Sequence, residues 1–472
     1  MEKLKNNIII ICLITLIIII FTIYIINIKT KKTKTTYEQS DTTTWSEENT
    51  TVIKVTEENN NISITKGGTY KLTGSSTNGN ITINTEEEVT LILDNLELTN
   101  DKGPAIQIEN AKKTVITLNE NTTNKLSDGK NTNQDYNAVI YSKDDLTING
   151  EGTLEIETTF ENGIKCNDEL KIMSGNININ SNTNGIIGKD SVTIKSGNIN
   201  IKSNGEGIKT NNEEKGNIII EDANINIESQ EDGIEADNDL TITNGTFTIT
   251  TGNGASELSV KQGWENTNDT EEEISQKAIK ATNITIETGT FNINSNDDGI
   301  HSNGNLTINN GTFEIKSSDD GIHADAIVEI KDGKYNITAS EGIEATYVKI
   351  NGGDITINAS DDGINAGKKS DEYTPTIEIN NGNLTIKMGQ GDTDGLDSNG
   401  NLYINGGTIN ITCNSPFDYD LEAKYTGGKM IINGTETNQI TNQMMGGMPG
   451  QGNMNRGEQV IEGGQYNRDI RR

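Results

Sequence analysis

The chain has 472 residues with 70 acidic side chains against 38 basic ones, a formal net charge of −32, and two histidines. Such an acidic protein has no basic face for nucleic acid, so that class of function is set aside. Hydrophobic residues at 31% and aromatics at 4% are too few for ordinary globular cores, and 49 glycines against 4 prolines point to short strands between many tight turns.

The first predicted element is the apolar stretch 8–28, long enough at 1.5 Å per residue to cross about 30 Å of hydrocarbon. Lys3 and Lys5 precede it, and Lys29, Lys31, Lys32 and Lys34 follow it. No small-residue cleavage site lies before Lys29, and Ile11 stands where a lipidated Cys12 would need a small residue. Residues 1–29 therefore read as an uncleaved, single-pass membrane anchor, and residues 30–51 as a polar linker, acidic toward its end.

The body, 52–440, is organised by a recurring Gly-Ile: E-N-G-I-K-C at 161, E-D-G-I-E-A at 231, D-D-G-I-H-S at 297, D-D-G-I-H-A at 319, S-E-G-I-E-A at 340 and D-D-G-I-N-A at 361. The repeat is mostly 21–22 residues long. A gap between Gly233 and Gly299 holds a degenerate copy, K-A-I-K-A at 277, and an insertion around 256–273. A fixed period with short alternating runs predicts an all-β parallel β-helix, three strands of three to five residues per coil, stacked about 4.8 Å apart. No window carries a 3.6-residue period, which excludes helical solenoids. The pairs Leu154/Ile156, Ile177/Ile179, Ile199/Ile201, Phe247/Ile249, Phe291/Ile293, Phe313/Ile315 and Tyr335/Ile337 keep one phase and read as inward ladders. Residues 60–160 are less regular and supply the first coils. Residues 441–472, rich in Gly, Met and Asn, read as a disordered tail. Cys166 and Cys413 fall about ten coils apart, beyond disulfide reach, and read as buried thiols.

The body resembles bacterial surface carbohydrate-binding domain proteins, a family with a right-handed parallel β-helix akin to polysaccharide lyases. The resemblance is carried by L-I-L-D-N-L-E-L-T-N-D-K-G-P-A-I at 91–106, I-T-L-N-E-N-T-T-N-K-L-S-D-G at 116–129, A-V-I-Y-S-K-D-D-L-T-I-N-G-E-G-T-L at 138–154 and G-K-D-S-V-T-I-K-S-G at 188–197. It implies binding of cellulose or polygalacturonate-like polymers with Ca²⁺ held by acidic residues, and no demonstrated catalysis. The flanking lysines alone would leave the body in the cytoplasm. The likeness to cell-surface proteins places it outside the cell instead, anchored in the membrane and with no obligate protein partner.

Two columns carry the candidate chemistry. After each inward Ile the next residue points outward, giving Lys165, Ile187, Lys209, Glu235, Lys280, His301, His323, Glu344, Asn365 and Asp397. Of these, His301, His323, Glu344, Glu235 and Asp397 are the expected glycan contacts, with an ordinary solvated face as the plain alternative. Two unpaired histidines on neighbouring coils would repel when protonated, which argues for some use of the pair. The turns preceding each Gly form an acidic column: Asp232, Asp297, Asp298, Asp319, Asp320, Glu341, Asp361, Asp362 and Asp394, with Asp325 nearby. Carboxylates stacked at this spacing repel, and a hard cation with six to eight oxygen ligands would bridge successive rungs.

The expected function is non-catalytic binding of an acidic, pectin-like or a cellulosic polysaccharide through Ca²⁺. The enzyme alternative is a Ca²⁺-dependent lyase with Lys280 or Lys209 as the base. A third reading is an adhesin or spacer rod. Neutral glycans would need aromatic platforms, for which Trp264, Tyr347, Tyr373 and Tyr403 are the candidates off the core ladder.

Overall fold

The computed structural model describes residues 41, 45–129, 135–256, 274–389 and 393–442. Their β-branched alternation winds into a parallel β-solenoid of about 16 turns, with no α-helix among the described residues. Each turn places a strand on each of three faces. In one turn these are Ile300–Ser302, Asn305–Ile308 and Thr312–Ser317, and each pairs in parallel with its counterpart one turn on. In several turns the first two strands run together, as in Asp320–Ile330 and Glu341–Ile350, so the expected three short strands become two, one of them long. The stack opens at Thr50–Val55 and ends on an antiparallel pair, Lys429–Ile432 with Thr435–Thr437.

The inward ladders are as the phase predicts. Ile and Leu of successive turns are buried in one continuous column. Within it Phe247, Phe291, Phe313 and Tyr335 stack with centroids 4.6, 4.6 and 4.8 Å apart. The ring spacing equals the strand spacing, so the aromatics fill the core and offer no platform to a sugar.

The Gly of Gly-Ile is required by space. A Cβ on Gly342 would lie 2.4 Å from the carbonyl oxygen of Gly363 in the next turn and 2.4 Å from Ile357 Cγ2. Ala278 occupies the equivalent position in the degenerate copy, and Ile279 pairs with Ile234 on one side and Ile300 on the other, which places that turn in the stack as expected. By contrast, Gly333 at φ 122° and Gly353 at φ 98° turn the chain from second face to third through a conformation that L-residues rarely adopt.

The expected span at 8–28, Cys12, Trp264 and the tail from 443 onward lie outside the described residues. Among the described residues no helix is long and apolar enough to cross a membrane. One part of the expected linker lies against the rod: Asp41 is buried, its carboxylate pairs with Lys113, and its carbonyl accepts a hydrogen bond from Asn149 Nδ2 at 2.8 Å. Cys166 is buried and its thiol is pushed up to about 12 by desolvation, whereas Cys413 is half-buried where a buried thiol was expected.

Candidate functional site

The outward column forms in the register the Gly-Ile phase predicts, from Lys165 through His301 and His323 to Asp397, one residue per turn. Tyr141 and Asp418 extend it at the two ends. The solvated face is not what forms. His323 and Glu344 are only 7% and 5% exposed: their rungs stack directly on each other, and Lys369 from the segment after Gly367 reaches Glu344. That segment is pinned by backbone N–H bonds from Lys369 and Ser370 to Thr346 Oγ1 at 2.9 and 2.8 Å. The two columns divide into three stretches of different chemistry.

The first stretch is neutralised by alternation. Lys209 pairs with Glu206 and lies 2.9 Å from Glu235 Oε2; Lys280 lies 2.8 Å from Glu235 Oε1 and 3.2 Å from Asp232 Oδ2. Burial alone would raise Glu235, but the two lysines outweigh it and hold the carboxyl below its ordinary value. Burial alone would lower both lysines, and their carboxylate partners instead raise them. A lyase base must give up its proton near neutral pH, and neither Lys209 nor Lys280 is placed to do so. Asp232 accepts bonds from Ser275 Oγ and the Lys277 N–H at 2.7 Å each, so it is satisfied within the fold.

The second stretch centres on the histidines, which are not unpaired. Their rings stack with centroids 4.5 Å apart and 6° from parallel. His301 Nδ1 lies 2.7 Å from Asp298 Oδ2, and His323 Nδ1 lies 2.8 Å from Asp320 Oδ2 and 3.0 Å from Glu344 Oε2. Their outer edges meet Asn303 Oδ1 at 2.9 Å and Asp325 Oδ1 at 3.3 Å. Lys277 supports this group from the preceding turn, 2.7 Å from Asp297 and 3.2 Å from Asp298, and Lys369 lies 2.9 Å from Glu344 Oε1. Burial would lower His323, but Asp320, Asp325 and Glu344 raise it well above its ordinary value. Asp297, Asp298 and Asp319 bring one oxygen each within 4.8 Å of one another, with Asp319 exposed.

The third stretch is acidic without alternation. Glu341, Asp362 and Asp394 follow one another along the turn column, and Asn365, Asp397 and Asp418 run beside them. Burial, then Glu344 and Asp361, push Glu341 up to about 7. Burial, then Glu341, Asp397 and Asp361, push Asp362 up to about 9. Asp397 rises to about 7 through burial and then Asp394, Asp418, Asp420 and Asp361.

Ca²⁺, which the family resemblance implies, would meet only oxygen donors on this third stretch, although the three carboxylates whose oxygens converge within 4.8 Å among the described residues are Asp297, Asp298 and Asp319 of the second stretch. The donors are all oxygen, and the buried oxygens Asn365 Oδ1, Asp418 Oδ1 and Thr393 Oγ1 have no hydrogen-bond partner among the described residues.

Sequence reasoning missed Lys277, Lys369 and Asp418. The first stands where other turns carry an acid, the second comes from a segment that breaks the period, and the third lacks the Gly-Ile signal. It also missed a trough of about 590 Å³ on the third face, floored by Ile156, Ile179 and Ile201 and lined by Asn178, Asn200 and Asn226 together with the charged Glu97, Lys125, Glu155, Glu157, Lys202 and Glu228. Those asparagines stand in register, with Asn200 Nδ2 donating to Asn178 Oδ1 at 2.8 Å. The N-I-N-I runs at 176, 198 and 224 were the available signal. The tyrosines make no flat platform: Tyr347 and Tyr373 meet edge-on at 65°, and Lys424 covers the Tyr403 ring at 5.3 Å.

Fold and columns together define a β-solenoid with a graded charge ladder on one face. Residues 58–321 and 319–467 match the family described as carbohydrate-binding domain-containing protein, and the chain belongs to that family. It is similar to a carbohydrate-binding domain-containing protein of Acetivibrio thermocellus, 39% identical over 126 residues, which is 25% of this chain and 44% of that protein. A solved structure, described as the polysaccharide lyase-like protein from C. thermocellum in a gadolinium derivative, is 33% identical over 43% of this chain and 91% of that one, with a TM-score of 0.41.

Proposed function

We propose that this chain is a non-catalytic cell-surface protein that binds acidic, polygalacturonate-like polysaccharide through Ca²⁺ held on the third stretch of the ladder. The observation that carries the reading is the run Glu341, Asp362, Asp394, Asp397 and Asp418 on successive turns, beside the buried oxygens Asn365 Oδ1, Asp418 Oδ1 and Thr393 Oγ1, which no donor among the described residues satisfies. A hard divalent cation there takes carboxylate and amide oxygens from two or more turns and keeps positions for the oxygens of a uronate. It thereby joins two polyanions that would otherwise repel. Membership of a carbohydrate-binding family supports the polymer as partner. The apolar stretch 8–28 would tether the rod to the membrane with its body outside. The ion pairs of Lys209 and Lys280 weigh against the lyase alternative.

A second reading, a neutral cellulose-like chain, is favoured by the asparagine-lined trough, whose amides suit sugar hydroxyls. Retention on immobilised polygalacturonate and on cellulose, each with Ca²⁺ and with chelator, separates the two. The first reading expects polygalacturonate retention that chelation abolishes, and no unsaturated product in solution. Retention that survives chelation contradicts it.

A further inference from the structure

The histidine stretch differs in chemistry from the oxygen-only ladder beyond it. We propose that Asp320, His323 and Glu344, with Asp298 and His301 on the preceding turn, form a site for one borderline divalent metal ion of the Zn²⁺ type, distinct from the Ca²⁺ ladder. The inference does not rest on polysaccharide binding.

Donor geometry comes first. His323 Nδ1, Asp320 Oδ2 and Glu344 Oε2 converge at 2.8 and 3.0 Å from nitrogen to oxygen. Three ligands held about 2.1 Å from one ion lie about 3.0–3.4 Å apart, so the observed spacing is within a few tenths of an ångström of a ligand set. Asp298, His301 and His323 likewise bring one ligand atom each within 4.8 Å of one another. The parallel stack of the two rings carries both Nδ1 atoms toward the same row of carboxylates.

The outer edges of the rings give a second, independent observation. His301 Nε2 faces Asn303 Oδ1 and His323 Nε2 faces Asp325 Oδ1, so the tautomer with its proton on Nε2 gives each ring a hydrogen bond on its outer edge. A neutral ring then turns its Nδ1 lone pair toward carboxylate lone pairs. A cation between nitrogen and carboxylates would occupy the space that both Nδ1 atoms and the carboxylate oxygens face. An Nε2–H held by an amide or carboxylate while Nδ1 faces the ion is how metal-binding histidines are oriented.

Burial adds weight. Asp298, Asp320 and Glu344 are 4–5% exposed, and His323 is 7% exposed. Lys277 and Lys369 reach only the two ends of this group, at Asp298 and Glu344. The nitrogen ligands choose the ion: imidazole with carboxylate suits Zn²⁺ and its neighbours, whereas Ca²⁺ takes oxygen alone.

The test is a Co²⁺ titration of the full chain after removal of bound metal, read by visible ligand-field absorption and by competition with Zn²⁺ and Ca²⁺. One Co²⁺ per chain is expected, displaced by Zn²⁺ and not by an equal concentration of Ca²⁺. His323→Gln should weaken Co²⁺ binding by about 100-fold or more, and Asp325→Ala, which removes only the outer acceptor, by about 10–100-fold. Asp325 is partly exposed, so this second variant decides the matter if His323→Gln fails to fold. No Co²⁺ bound, unchanged affinity in Asp325→Ala, or displacement by equimolar Ca²⁺ would each overturn the inference. A chain that takes Co²⁺ here yet ignores polygalacturonate keeps this site and loses the preceding proposal.

Discussion

Lys280 Nζ sits 2.8 Å from Glu235 Oε1 of the preceding turn, on a strand pairing that puts the two residues directly in register. A solenoid stacks like positions every 4.8 Å or so, and alternating the sign of charge along a column is the simplest way to make that tolerable. The ladder uses this device from Lys209 to Lys280 and abandons it beyond Glu344, where Asn365, Asp397 and Asp418 follow one another.

Removing the alternation in the first stretch should destabilise the rod. Lys280→Met leaves Asp232 and Glu235, with side chains 3% and 14% exposed, facing each other without their shared cation. Loss of one partner from a buried pair costs about 3–5 kcal/mol, and Lys209, which still reaches Glu235, brings the expectation to about 2–3 kcal/mol. Urea unfolding followed by circular dichroism measures it. The same variant should leave polygalacturonate retention intact when folded, whereas a lyase using Lys280 as base would lose its activity.

The third stretch predicts a pH dependence of the metal-free protein. Glu341 and Asp397 rise to about 7 and Asp362 to about 9, against ordinary values of 4.5 for Glu and 3.8 for Asp. A carboxyl raised on folding favours the native state while protonated. Its contribution is full below the unfolded value and disappears as pH climbs through the folded one. In chelator, stability should therefore fall from the ordinary carboxylate range up to about pH 9, by at most about 1.4 kcal/mol per pH unit for each group. Ca²⁺ should remove much of that fall. Melting temperatures across this range, with and without Ca²⁺, check it; a profile that Ca²⁺ leaves unaltered contradicts the assignment.

The aromatic ladder predicts a local fracture. Phe291 lies between Phe247 and Phe313, 4.6 Å from each, and is buried. Phe291→Ala opens a cavity between two rings that the backbone spacing keeps apart, at a cost of about 3–5 kcal/mol. Since each turn contacts chiefly its neighbours, amide exchange should rise over the turns from Phe247 to Tyr335 and much less at the ends of the rod.

Much of this was legible in the residues. The Gly-Ile phase placed Lys165 through Asp397 in one column because strand register admits no slip without turning every Ile outward. The Phe ladder followed from the same phase. What Gly contributes was not legible, since the contact of Gly342 with Gly363 of the next turn exists only once turns are stacked. The setting of Glu344 was hidden for a related reason: Lys369, which reaches it, lies on a segment that departs from the repeat. Carboxylates read as one acidic column separate into three chemistries because Lys277 and Lys369 enter from positions that the repeat does not predict.

The most direct test of Ca²⁺-linked uronate binding is calorimetric titration of polygalacturonate into the full chain and into Asp362→Asn/Asp397→Asn, each with Ca²⁺ and with chelator. The unaltered chain should bind only with Ca²⁺, and the double variant, which loses charge where it is least compensated, should bind weakly or not at all while melting at or above the temperature of the chelated parent. Equal polymer affinity in the two chains, or binding by the parent in chelator, would contradict the account.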